Sequence, residues 1–318
     1  MLHKQMSSRN NLKPADICAM QSIGRSWAHL ALLFTNLFFA INFTAVKFLI
    51  SSERIQPFGL NLLRVAGTVI LLWIFAAFNR GKKYKIERSD LPRFALCALS
   101  GIAINQLLFI KGLSLTSSIH ASLLMLATPI LITIIAAWLL KEKLTIYKII
   151  GLGLGITGAT ILIQLRSKAG EGSNMLLGDI LVIINAVSYT FYFILVKPLM
   201  EKYSPVTVIR IAFTMGLFMI LPFCWNEFRA IPWQHYTGKD LLVLIEIIVG
   251  GTFLAYLFNI YGIKVLGASI AGSYIYVQPL FAAIIAAIVL GEKLSVYKLV
   301  AAACIFGGVY LARKPSRI

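Results

Sequence analysis

Acidic residues are scarce in this chain. Only 12 of its 318 residues are Asp or Glu, against 30 Lys or Arg, and charged residues make up 13% of the whole. A soluble domain of this size needs far more polar surface to stay in water. Cysteine is also sparse: Cys18, Cys97, Cys224 and Cys304 are dispersed and outline neither a disulfide framework nor a metal knuckle. Walker, zinc-finger and nucleophile-elbow spacings are absent, as is any loop nucleophile–base pair. Those absences argue against an enzyme and leave no cofactor or metal to be expected. The formal charge of +18 would suggest nucleic acid in a soluble protein. Here the basic residues sit beside apolar runs, where lipid orientation accounts for them and nucleic acid is not needed. The polar segment 1–26 holds Lys4, Arg9, Lys13 and Arg25 with no apolar core before Trp27. A cleaved signal peptide is therefore not expected, and the first apolar run serves as the insertion signal.

What the chain does have is length of apolar run. Hydrophobic residues reach 59% and mean hydropathy is +0.83. Stretches of about twenty apolar residues recur throughout, enough at 1.5 Å per residue to cross a hydrocarbon core. Ten spans are predicted: 27–49, 58–78, 93–111, 117–140, 146–165, 176–198, 205–225, 241–262, 268–290 and 296–312. The expected fold is an all-α integral membrane protein whose partner is the lipid bilayer. With the N-terminus in the cytoplasm, twenty Lys and Arg fall on the cytoplasmic side and ten on the far side, which favours cytoplasmic N- and C-termini.

The stretch Pro129–Lys148, PILITIIAAWLLKEKLTIYK, recurs 150 residues later as Pro279–Lys298, PLFAAIIAAIVLGEKLSVYK, with eleven of twenty positions identical. Thr145 and Ser295 are set to cap the helices that follow each turn. The same offset equates Lys47 with Lys197, Gly101 with Gly251, Gly112 with Gly262 and Gly158 with Gly308. Pro57 pairs with Pro205 and Arg64 with Arg210 through loops of different length. Each half then holds five spans, an odd number, so the second half enters the membrane inverted. The Glu142 and Glu292 turns are expected on opposite faces. Inverted repeats supply two similar bundles whose exchange of conformation gives alternating access. A duplicated channel or scaffold is the alternative.

These features resemble the drug/metabolite transporter superfamily, in particular the family with two EamA domains. The carriers of the resemblance are the 5+5 duplication and the Pro-(apolar)-Glu-Lys-Leu signature at Pro129–Leu144 and Pro279–Leu294. It covers about residues 27–312, with repeats at 27–165 and 176–312, a polar tail at 1–26 and a basic tail at 313–318. The resemblance implies a carrier of the bacterial inner membrane that moves a small molecule, many members exporting amino acids or other small metabolites. It also implies a central cavity lined by the first, third, fourth, sixth, eighth and ninth spans.

A cavity between halves needs polar groups at depth, where a solute exchanges water for protein partners. Candidates for the substrate path are Asn36, Asn42, Asn105, Gln106, Met125, Thr128, Asn185, Ser188, Tyr189, Tyr192, Tyr256, Asn259, Tyr274 and Gln278. Asn105 and Gln106 are adjacent, so one faces the interior while the other bridges helices. Asn185, Ser188 and Tyr192 share one helical face. Amides in spans also serve simply to hold helices together. Phe39 with the tyrosines suits a small amphipathic solute. Pro129 and Pro279 free the carbonyls of Met125 and Ile275 and mark matched kinks or hinges. His120 and Glu246 are the candidates for protonation or coupling, and no carboxylate is placed at the midplane. Arg64 and Arg210 are read as snorkelling to an interface. The Gly151, Gly153, Gly155 and Gly158 set, with Ala301–Ala303 and Gly307–Gly308, permits close packing within a half or in a homodimer.

Overall fold

The helix boundaries follow from local chemistry. A computed structural model describes residues 14–78, 86–125, 128, 131, 135, 146–147, 150–151, 153–154, 157–158, 161, 174–266, 271, 274–290 and 296–312. Its long helices are α1 (Pro14–Ser51), α2 (Pro57–Phe78), α3 (Arg88–Leu115), α4 (Ser118–Leu124), α5 (Met175–Lys202), α6 (Pro205–Arg229), α7 (Gly238–Leu266), α8 (Gln278–Leu290) and α9 (Val296–Ala312). Proline opens α2 and α6, where its missing N–H is not needed. Ser117, Asn174 and Ser204 accept from free backbone N–H groups at the starts of α4, α5 and α6. Thr237 and Asp240 form a reciprocal capping box on α7. The start of α2 is capped from across the bundle: Glu227 Oε2 at the end of α6 accepts from Phe58 N at 2.6 Å and Gly59 N at 3.1 Å.

Six helices are long and apolar enough to cross a membrane: Gly24–Ser51 within α1, then α2, α3, α5, α6 and α7. Their 22 to 29 residues extend roughly 33–44 Å. No strand occurs among the described residues. Large apolar side chains such as Ile70, Phe78, Phe218, Leu242 and Ile288 point outward, while Asn, Thr, Arg and Asp side chains are buried. This is the inverse of a water-soluble surface and fits lipid outside. Most of the predicted fifth span, both Glu-Lys-Leu turns, Thr145, Ser295 and Pro129 lie outside the described residues. At the other matched kink the backbone passes from a 3-10 turn, Tyr274–Val277, into α8 directly before Pro279.

The two repeats pack crosswise. A Cβ added to Gly101 on α3 would strike the Tyr192 ring on α5, and one added to Gly251 on α7 would lie 2.6 Å from Asn42 Oδ1 on α1. Tyr192 and Asn42 are themselves 150 residues apart (192 − 42), as are the two glycines (251 − 101). The pattern repeats one layer away, where Gly112 meets Val182 and Gly262 meets Leu32. So the third span of each half lies on the first span of the other, antiparallel, and only hydrogen fits between them. The helices α2 and α6, equated by the repeat, also pack on each other antiparallel: Gly59 lies at Glu227, and Trp73 Nε1 donates to Thr214 Oγ1 at 3.1 Å.

Both crossing helices widen at the same place. α3 contains a π-helical turn at Leu99–Ile104 and α7 one at Glu246–Leu254, ending 150 residues apart (254 − 104). Such turns leave backbone carbonyls without their usual α-helical partners. Asn185 Nδ2 donates to the Asn105 carbonyl at 2.5 Å, and Thr35 Oγ1 to the Ala255 carbonyl at 3.3 Å. These too are repeat equivalents, since 185 − 35 and 255 − 105 both equal 150.

Candidate functional site

The crossing helices enclose a central cavity. Its volume is about 60 Å³ for the centres of water-sized spheres, room for a handful of waters at roughly 10–15 Å³ each. α1 supplies Thr35, Asn36, Phe39, Asn42 and Phe43; α2 supplies Arg64; α3 supplies Asn105 and Phe109. Met125 follows α4, while Asn185, Tyr189 and Phe193 come from α5 and Tyr256 and Asn259 from α7. Ala271, Ile275 and Gln278 close the last side. Both halves therefore contribute. The expected lining spans are all present, and the second span joins them through Arg64.

Of the residues singled out in the sequence, Asn36, Asn42, Asn105, Met125, Asn185, Tyr189, Tyr256, Asn259 and Gln278 line this cavity. Five others do not. Gln106 lies behind the wall, its Nε2 donating to Tyr256 Oη at 3.3 Å. Ser188 donates to the Ser100 carbonyl at 2.7 Å, and Tyr192 covers Gly101. The face shared by Asn185, Ser188 and Tyr192 is thus the seam against α3. Thr128 is fully buried away from the lining, and Tyr274 bonds His29 Nδ1 at 2.6 Å, tying α1 to the turn before α8.

Aromatic rings form much of the wall. Phe43 meets Phe109 edge to face at 5.1 Å, Phe39 meets Tyr256 at 5.9 Å, and Tyr189 meets Phe193 at 4.8 Å between centroids. Two phenols are fixed by amides: Tyr256 by Gln106, and Tyr189 by Asn259 Nδ2 at 2.8 Å. Each phenol oxygen accepts, which leaves its own proton to give.

Arg64 overturns the snorkelling expectation. Its side chain is only 3% exposed. Its Nε donates to Thr252 Oγ1 at 2.7 Å, and that hydroxyl donates onward to the Ile247 carbonyl at 2.7 Å inside the π turn. The guanidinium lies over the Phe109 ring at 5.6 Å. Arg64 is seven residues past Pro57, roughly 10 Å along the helix. That depth, together with Thr252 as an inward partner, is the signal that reading it as a lipid-facing arginine missed. Arg210, its repeat counterpart, instead stacks on Trp73 at 4.5 Å and stays half-buried.

The titratable candidates lie elsewhere. His120 Nδ1 is 3.6 Å from Asp179 Oδ2, with side chains 4% and 1% exposed, and Thr116 Oγ1 donates to Asp179 Oδ1 at 2.8 Å. This cluster joins the first half to the second behind the cavity wall. Glu246 opens the π turn of α7, and neither of its carboxylate oxygens has a hydrogen-bond partner. Lys47 donates to the Thr116 carbonyl at 2.7 Å, capping the C-terminal end of α3, whereas Lys197 is exposed.

Known proteins share this plan. An uncharacterized transporter of Archaeoglobus fulgidus is 26% identical over 90% of this chain and 97% of its own length. The probable terminal-alkyne amino-acid exporter of Streptantibioticus cattleyicolor is 27% identical over 89% of this chain and 92% of its own. A solved crystal structure at 20% identity superposes with a TM-score of 0.64, covering 91% of this chain and 98% of that one, and shares the fold. The EamA-like transporter model matches residues 26–164 and again 176–313, and the chain, a multi-pass membrane protein, belongs to that transporter family.

Proposed function

We propose that this transporter is a secondary carrier of a bacterial inner membrane that exports a small amino acid or related amphipathic solute by alternating access. The observation that carries the reading is the buried cavity whose polar wall is built from both repeats. A site shared by two crossing bundles opens to one side or the other as the bundles rock. Ten spans in two inverted sets of five, with both termini in the cytoplasm, belong to the same reading. Residues 129 and 279 are its hinges. The His120–Asp179 pair and Glu246 are its places for a coupled proton. The amide and phenol lining suits a solute with an apolar body and a polar head. The cargo of the Streptantibioticus cattleyicolor relative, an amino acid by its name, is of this kind.

The test is counterflow of radiolabelled amino acids in proteoliposomes, joined to labelling of single cysteines placed at positions 129 and 279. A carrier exchanges labelled solute and changes the exposure of the two cysteines in opposite senses when solute is added. Exposure of both together, with flux that does not saturate, points to a channel and sinks the proposal.

A further inference from the structure

The polar atoms left without partners in the cavity wall are of two kinds. Arg64 Nη1 is a buried donor with no hydrogen bond, on the one lining residue that carries a fixed positive charge. Asn36 Oδ1 and Asn185 Oδ1 are buried acceptors with none. Their amide orientations are set by the other atom. Asn36 Nδ2 donates to the Leu32 carbonyl at 2.7 Å and Asn185 Nδ2 to the Asn105 carbonyl at 2.5 Å, and a carbonyl accepts only. Their oxygens are therefore the atoms left over. Asn42 is excluded from this set because its Oδ1 lies against Gly251.

A buried guanidinium with an unmet donor is costly unless something negative or strongly accepting completes it. Glu246 acts on Arg64 electrostatically, but the two make no ion pair and the Glu246 oxygens remain unpartnered. Thr252 occupies only Nε, so the outer edge of the planar fork is left to the cavity. Tyr256, whose phenol proton is uncommitted, also lies close enough to Arg64 to act on its charge. Guanidinium forks match carboxylates edge to edge. The amide oxygens offer what an ammonium group needs, acceptors without full charge.

We propose that Arg64 is the carboxylate anchor of the transport site, with Asn36 and Asn185 receiving the ammonium group of the same zwitterion. This rests on the amino-acid reading above and sharpens it to a residue. The cargo must carry a free carboxylate. Its amide or its decarboxylated amine leaves Arg64 unmatched in a site that no longer holds water.

The test uses the full chain in proteoliposomes and L-methionine, L-threonine and L-phenylalanine, each beside its amide and its decarboxylated amine. Counterflow of at least one amino acid, with its amide and amine tenfold or more weaker, is the expected result. Arg64→Gln should lose that amino acid tenfold or more while its weak handling of the amine is unchanged, and Arg64→Lys should recover part of the loss. Equal counterflow of acid, amide and amine by the unsubstituted protein overturns the anchor and leaves the carrier standing. Retained preference for the acid in Arg64→Gln does the same. If none of the three amino acids exchanges, the amino-acid reading and the anchor fall together. The comparison among analogues needs no variant, so a poorly folding Arg64→Gln does not rescue the idea.

Discussion

The first repeat and the second are alike where they touch and unlike where they face the cavity. Gly101 against Tyr192 and Gly251 against Asn42 are the same seam built twice, as are the Asn185 and Thr35 bonds to the carbonyls beyond each π turn. Yet Arg64 lies buried in the wall while Arg210 stacks on Trp73 at half exposure. Asn105 lines the cavity, and its counterpart is Ala255. Lys47 caps a helix end and Lys197 is exposed. Duplication has kept the packing symmetric and confined charge recognition to one half. A two-fold path with a one-sided head-group site can still open to either face, because the moving surfaces are the symmetric ones.

The seam is the place to break this comparison hardest. Gly101→Ala should destabilise by about 1–3 kcal/mol through overpacking, and Gly251→Ala by a similar amount, read as a fall in melting temperature of the purified protein. Equal losses support the equivalence, and a silent Gly251→Ala removes it. The arginines test the asymmetry: Arg64→Gln should weaken amino-acid binding by tenfold or more, worth about 1.4 kcal/mol. Arg210→Gln should leave binding within about twofold, by the same relation. Titration in detergent distinguishes them. At the π turns, Asn185→Ala leaves a buried carbonyl without a donor and should cost about 1–3 kcal/mol. Thr35→Val should cost less, about 1 kcal/mol, since its hydroxyl also serves the Ala31 carbonyl and its bond to Ala255 is longer. The smallest contrast is Lys47→Met, about 0.3–1 kcal/mol from losing a cation at a helix end, against no measurable change in Lys197→Met.

Much of the fold was legible because lipid imposes a length on each helix, and because a 150-residue echo survives in the glycines. Gly101, Gly112, Gly251 and Gly262 stood out in the sequence as matched pairs, but not which helix each would touch. A glycine announces a close approach without naming its neighbour. The amides of α1, α3 and α5 were legible as interior polar groups for the same reason: burial in an apolar run needs a purpose. What periodicity does not reveal is division of labour within an amide. Asn185 serves the seam with its nitrogen and the cavity with its oxygen, whereas Ser188 and Tyr192 on the same face serve the seam alone. Arg64 was misread because its reach to lipid was weighed without Thr252, a partner 188 residues away. The π turns have no sequence period of their own and were not foreseen.

Those widened turns fix something else. A π turn holds one residue more than the α turn it replaces, and each residue advances a helix by about 100°. Deleting a single residue between positions 99 and 104 would let α3 relax to ordinary pitch and swivel all that follows by that angle. Asn105 and Phe109 would leave the chamber, and Asn185 would reach for a carbonyl that had moved. The loop at 79–85 lies outside any such register. In this molecule a missing residue costs more in the straightest part of a span than in the turns that join them.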